Sequence, residues 1–146
     1  MDSVYKKEVL DHVRNPRKKG ALDEMTFVER GKHPRCGDEV EVGVNIDEQG
    51  DIDLRFNGRG CAICMASASL MCECISGLST TDASNMTNAV IENQFNDLTE
   101  NQFATATKQD NLQTLQNLRQ LPAREKCTLI AWQALHSILE KNRLLT

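Results

Sequence analysis

Apolar residues fall at every second position in two neighbouring stretches of the chain. Val40, Val42, Val44 and Ile46 alternate with Glu41, Gly43 and Asn45, and Ile52, Leu54 and Phe56 alternate with Asp51, Asp53 and Arg55. A period of two places alternate side chains on opposite faces of a strand, so each stretch predicts a strand with one buried face. Gln49-Gly50 lies between them and marks the turn of a hairpin. Met25–Glu29 predicts a preceding strand, so that residues 25–58 form an antiparallel meander.

The remaining apolar positions follow helical spacing. Val4, Tyr5, Val9, Leu10 and Val13 predict a helix over 3–14, capped by Ser3 and ended by Asn15-Pro16, because the residue before a proline disfavours the helical region. A basic loop, Arg17-Lys18-Lys19-Gly20, follows. Gly58-Arg59-Gly60 predicts a turn feeding a helix over 61–75, with Ile63, Ser67, Leu70, Met71 and Cys74 on its core face and Ala62, Ala66 and Ala68 allowing close packing. Ser76-Gly77 ends that helix. A further helix is predicted over 79–98. Residues 93–117 are rich in Asn and Gln, with helix over 109–118 and a break at Leu121-Pro122. The last helix is predicted from Ala123 to Arg143, with Leu129, Ile130, Trp132, Leu135, Ile138 and Leu139 on a wide apolar face.

A chain of 146 residues, 40% apolar and 26% charged, fits one globular domain with a real core. The net charge of −4 argues against nucleic acid or an anionic membrane as partner. No apolar run approaches the roughly 18 residues needed to span a bilayer, and the N-terminus lacks the apolar stretch of a signal peptide. These features predict a cytoplasmic protein. In that reducing compartment, six cysteines point to metal binding or thiol chemistry rather than disulfides.

Cys36-Gly37-Asp38 places a thiol and a carboxylate two residues apart around a glycine. Alone it reads equally as a surface turn with a solvated aspartate. Cys61 falls at a predicted helix N-terminus after two glycines, where unpaired N–H groups and the helix dipole favour a thiolate. Cys127 falls in the first turn of the last helix beside Arg124 and Lys126, whose charges act in the same direction; alone it is also a small core residue. Three cysteines and an aspartate can close a tetrahedral metal site, and the carboxylate suggests a site that opens, since structural zinc sites are mostly Cys and His. Cys61-Ala62-Ile63-Cys64 has CxxC spacing, but the strands before it form a meander rather than a βαβ unit, so Cys64 reads as a packing thiol near the site. Cys72 and Cys74 read as buried structural residues. His12 and His33 lack a metal-ligating partner at helical spacing, and His136 lies about two and a half turns beyond Cys127; all three read as packed or solvated.

These segments together resemble a known family. Cys36-Gly37-Asp38, then Phe56-Asn57-Gly58-Arg59-Gly60-Cys61-Ala62-Ile63-Cys64-Met65-Ala66-Ser67-Ala68-Ser69, then Lys126-Cys127 at the start of the last helix, are similar to the U-type iron–sulfur assembly proteins: IscU, SufU and the N-terminal domain of NifU. The resemblance covers almost the whole chain. Lys126 in place of a His before the third cysteine, the long stretch over 78–121, and Pro122-Ala123-Arg124 with Trp132 look most like the SufU branch. The chain departs from the pattern at Cys64, where Ser is usual, at Arg35 and at Cys72.

The resemblance implies an α+β fold, a three-stranded antiparallel sheet packed on one face by several helices (SufE/NifU-like), forming a single domain over 1–146 with an insertion at roughly 78–121. It implies Zn²⁺ held by Cys36, Asp38, Cys61 and Cys127, with Arg124, Lys126 and Arg35 offsetting the negative charge of the site. It also implies a zinc-dependent sulfurtransferase that docks to a pyridoxal-phosphate cysteine desulfurase of the SufS type, with Cys36 as sulfur acceptor and Asp38 keeping the site exchangeable. Sulfur would pass on to a downstream iron–sulfur scaffold or to apo-proteins. A second reading is a non-enzymatic scaffold in which the same four residues hold a labile [2Fe–2S] cluster. A weaker third is a redox protein using Cys61 and Cys64.

Overall fold

The computed structural model describes residues 3–33, 37–95, 106–121 and 124–141. Eight elements follow in chain order: α1 (Ser3–Arg14), β1 (Phe27–His33), β2 (Asp38–Ile46), β3 (Ile52–Arg59), α2 (Ala62–Ile75), α3 (Thr80–Ile91), α4 (Ala106–Arg119) and α5 (Glu125–Lys141). The strands form one antiparallel sheet in the order β1-β2-β3. The fold is therefore α+β, as the sequence pattern and the resemblance both predict.

The hairpin follows directly from the period-two pattern. Val42 pairs with Phe56, Val44 with Leu54 and Ile46 with Ile52, so the alternating apolar residues share one face. Val40, Val42, Val44, Leu54 and Phe56 are completely buried there. The turn is organised by Asp47, whose carboxylate accepts the N–H groups of Gln49 and Asp51 at 2.9 Å each, while Gly50 takes a φ of +84°.

Helices α2 and α5 cover the buried face. α5 lies against β1 and β2 and packs on α2 and α3. Its apolar face holds as predicted: Trp132, Leu135 and Leu139 are fully buried, each such side chain contributing about 1.5–3 kcal/mol by leaving water. α2 departs from the predicted one-sided helix. Cys64, residues 66–72, Cys74 and Ile75 are buried, while Ile63 is only partly so. The helix is enclosed on nearly all sides because the sheet, α1, α4 and α5 surround it, and its small Ala and Ser residues permit that crowding.

Three glycines or loops correct the sequence reading. The first strand is Phe27–His33 rather than Met25–Glu29. Asn45 accepts the Thr26 N–H at 2.6 Å and donates to the Glu24 carbonyl at 3.2 Å, fixing 24–26 as a loop. Met25 instead crosses the opposite face of the sheet above Gly43, where a Cβ would sit 2.6 Å from its Cγ. The basic loop pairs with the free edge of β3: the Phe56 N–H donates to the Lys18 carbonyl and the Gly20 N–H to the Phe56 carbonyl. Gly58 and Arg59 belong to β3 rather than to a turn.

The helices after α2 also differ at their ends. α3 stops at Ile91, before the predicted 98, and Asn93 takes a positive φ of 60°. Arg119 at the end of α4 donates to the carbonyls of Val90 (3.3 Å) and Ile91 (2.7 Å) and pairs with Glu125 at 2.6 Å. A cation thus meets the C-terminal carbonyls of α3 and ties three helices together. α4 is longer than predicted, and the predicted limits Leu98, Pro122, Ala123 and Arg143 lie outside the described residues. Among the described residues no helix is long and apolar enough to cross a membrane.

His12 on α1 is buried rather than solvated. The hydroxyl of Ser69 on α2 accepts the Arg17 N–H at 2.8 Å and is hydrogen-bonded to His12 Nδ1 at 2.7 Å. Burial, reinforced by the Arg17 charge and opposed by Glu73 and Asp11, lowers the His12 pKa from 6.5. The unfolded state therefore takes up the proton first as pH falls, so stability is unaffected by His12 titration above pH 6.5 and is lost as pH drops below it, because burial disfavours the charged ring. Denaturant unfolding across this range should show that loss in the wild type and not in His12→Gln; equal slopes would refute it.

Gly31 on β1 permits the close seating of α5. A Cβ there would lie 2.6 Å from the Ile130 carbonyl oxygen and 3.0 Å from its Cγ2. Gly31→Ala should destabilise the protein by about 1–3 kcal/mol through overpacking, read as a lowered denaturation midpoint; a neutral effect would show that α5 is not so constrained.

Candidate metal centre

Asp38 opens β2. Because Val40 faces the helices, Asp38, two residues earlier, faces them as well. It is 4% exposed. The β2–β3 ladder ends with Glu39 paired to Arg59, so the next position across from Asp38 is Gly60. Gly58, one row inward, has a φ of +145°, and a Cβ on it would meet the Glu39 carbonyl oxygen at 2.2 Å. Only glycine fits there, and β3 can thus run close beside β2 up to the point where it delivers Cys61.

Cys61 is the N-cap of α2, in extended conformation, and is half-buried. Its Sγ accepts the Cys64 N–H at 3.4 Å, so the sulfur occupies the place of a capping oxygen at the positive end of the helix. Its own N–H donates to Asp38 Oδ1 at 3.1 Å. One residue therefore fixes a sulfur and, through its main chain, a carboxylate.

Cys127 comes from α5, one turn before Ile130, and is 7% exposed. Two contacts bring it to the end of the sheet. One is the close approach at Gly31. The other is the buried Ser67 hydroxyl of α2, which donates to the Thr128 carbonyl at 2.6 Å. α2 and α5 are thus pinned together next to the residue that carries the thiol.

The ligand atoms of Asp38, Cys61 and Cys127 all lie within 4.8 Å of one another, and among the described residues this is the one cluster of three or more potential metal donors. Asp38 Oδ2 is buried without a hydrogen-bond partner. An uncompensated carboxylate oxygen out of water is costly, and a cation beside it would remove that cost. Two thiols, a carboxylate and an open carboxylate oxygen make a donor set suited to Zn²⁺ or iron. Two thiolates on one zinc lie about 3.8 Å apart, given a Zn–S distance near 2.3 Å, which agrees with the compactness of the cluster.

The other predicted residues fall as follows. Cys36 and Arg35 lie outside the described residues. Arg124 and Lys126 are exposed at the start of α5. Cys64 is fully buried, as are Cys72 and Cys74, and burial pushes the Cys72 thiol far up. None of the five described cysteines is in a disulfide. His136 pairs with Glu140 at 3.0 Å. The sequence reading missed the glycines as space-makers and the Ser67–Thr128 link. Gly60, which the strand register sets opposite Asp38, was read only as part of a turn.

Both the sequence and the fold have known relatives. The NifU-like N-terminal domain profile matches residues 4–111. The chain is 33% identical over 143 residues to the zinc-dependent sulfurtransferase SufU of Bacillus subtilis, covering 97% of this chain and 92% of that protein. It is 30% identical to the iron–sulfur cluster assembly scaffold protein IscU of Thermotoga maritima, covering 94% of each. A crystal structure of the SUF-system scaffold candidate of Fervidobacterium islandicum matches at a TM-score of 0.72 and 28% identity, over 91% of this chain and 94% of that one. The N-terminal part of a NifU-like protein from Brucella abortus shares the fold at a TM-score of 0.72 and 20% identity, over 97% of this chain and 94% of that one. The chain belongs to the NifU-like N-terminal domain family of iron–sulfur cluster assembly proteins, with SufU and IscU as its relatives.

Proposed function

We propose that this protein is a zinc-dependent sulfur acceptor in iron–sulfur cluster assembly. The observation that carries the reading is the compact cluster of Asp38, Cys61 and Cys127, in which Asp38 also has a buried carboxylate oxygen without a partner. Three donors so close together suit a single ion. Donors shared between the two irons of a cluster would include a pair on different metals, which lie farther apart. The similarity to SufU along 97% of the chain supports the same reading.

Cys36, Asp38, Cys61 and Cys127 would hold the zinc ion, which supplies positive charge that keeps bound thiols deprotonated. Cys36 lies two residues before Asp38, a reach of at most about 7 Å along the chain. The exposed Arg124 and Lys126 offset the negative charge of the donors. The partner is a pyridoxal-phosphate cysteine desulfurase that carries a persulfide. The Cys36 thiolate attacks the terminal sulfur of that persulfide, the enzyme's S–S bond breaks, and its cysteine leaves as thiolate. The sulfane sulfur keeps its oxidation state, so no external oxidant or reductant is needed. Cys36 then carries the persulfide to a downstream scaffold or apo-protein. Cys64, fully buried, does not serve as the acceptor.

The similarity to a scaffold IscU over 94% of the chain favours a second reading, in which the same donors hold a nascent [2Fe–2S] cluster. An aspartate ligand would make such a cluster labile.

Purified protein should contain one tightly bound zinc per chain and should accelerate cysteine desulfuration by its desulfurase. Absence of stimulation, together with a stable visible-absorbing cluster that passes to apo-ferredoxin, would establish the scaffold reading instead. Cys36→Ala should lose persulfide acceptance, followed by labelled sulfur, while its metal-free form keeps the melting temperature of the metal-free wild type; undiminished transfer would remove Cys36 from the role.

A further inference from the structure

We infer that Gly60 is a positioning residue for the carboxylate of Asp38, and that its lack of a side chain is what seats Asp38 as a ligand. This inference rests on Asp38 being a metal ligand, as proposed above. A Cβ built on Gly60 would lie 2.9 Å from Asp38 Cγ, 3.0 Å from Oδ1 and 3.1 Å from Cβ. All three nearest atoms belong to the one residue. Separations under 3.0 Å require something to move, and Asp38 is short, buried and held through Oδ1 by the Cys61 N–H. It has no flexible stem with which to yield.

The hydrogen bond and the clearance act together. The Cys61 N–H takes Oδ1 and so leaves Oδ2 as the oxygen open to an ion. Gly60 immediately precedes Cys61, so a methyl group on it would push against the same carboxylate that the next residue's N–H holds. Displacement of Asp38 would break that hydrogen bond and shift the carboxylate relative to Cys61 and Cys127 without altering any donor. Gly60 differs here from Gly58, which clears the main chain of Glu39 and Val40, and from Gly31, which clears α5.

The test is a double-mutant cycle on the full chain: wild type, Gly60→Ala, Asp38→Ala and the double variant. Asp38→Ala deletes the two closest of the three obstructing atoms. Two readouts are used: the melting temperature of the metal-free protein, and the rate at which the zinc-loaded protein releases Zn²⁺ to a chromophoric chelator. Gly60→Ala should lower the metal-free melting temperature and speed zinc release by about tenfold or more, as loss of a ligand-orienting contact does. In the Asp38→Ala background the same substitution should change release little and cost clearly less in melting temperature. If Gly60→Ala alone does not fold, restoration of folding by Asp38→Ala supports the inference. Equal losses in melting temperature with and without the Asp38 carboxylate, or a double variant that fails to fold where Asp38→Ala folds, overturn it. Coupling in the metal-free protein with zinc release unchanged in both single variants would overturn Asp38 as a ligand while leaving the steric contact established.

Discussion

Helix α5 lies so near β1 that a side chain on Gly31 would strike the Ile130 carbonyl oxygen, and the position of Cys127 depends on that approach. Cys127 sits one turn before Ile130, so moving α5 off the sheet moves the thiol with it. The apolar face of α5, with Trp132, Leu135 and Leu139 fully buried, supplies the attraction that holds the helix down, and Gly31 removes the obstacle. The Ser67–Thr128 hydrogen bond then sets α2 against α5. The site is thus a consequence of core packing: one donor from a strand, one from a helix cap and one from a second helix meet because the hydrophobic interface leaves them nowhere else to be.

That convergence works against stability in the metal-free protein. A carboxylate and a thiol that are nearly fully buried sit together, with one carboxylate oxygen unsatisfied. The Cys61 and Cys64 N–H groups satisfy part of the demand, as does the positive end of α2. The remaining demand is for a cation. A core of this size tolerates such a cluster because the sheet, α2 and α5 are packed independently of it, so the donors can be held in place before the ion arrives.

The hairpin and α5 were legible in the sequence because each has one buried face, and one-sided burial imposes a period. α2 was legible in its limits but not in its surroundings, since a helix enclosed on all sides shows no period to read. β1 was placed two residues early because its position is fixed by pairing with β2 and by Asn45 capturing the preceding loop, contacts that lie 19 and 21 residues apart. Asp38, Cys61 and Cys127 were found from residue chemistry and family resemblance together; their separations of 23 and 66 positions carry no local signal. Gly58 and Gly60 were read as a turn. Both instead serve as clearance inside packed structure, a property that depends on what lies opposite and is invisible in a single strand.

Asp38 links the two halves of the centre in a way that bears on how the proposed site would open. Its Oδ1 is bound to the Cys61 main chain while its Oδ2 is buried without a partner, so a shift of β2's first residue acts on the carboxylate and on the start of α2 at once. Cys36 lies in the same connection, two residues before Asp38. A partner that engages this connection would therefore act on two proposed ligands through one short segment, while Cys61 and Cys127 remain anchored by helices in the core. In the proposed zinc site a carboxylate would suit the side that moves, since it would bind through a hard oxygen and yield more readily than a thiolate, whereas the two sulfurs held by the helices would retain the ion.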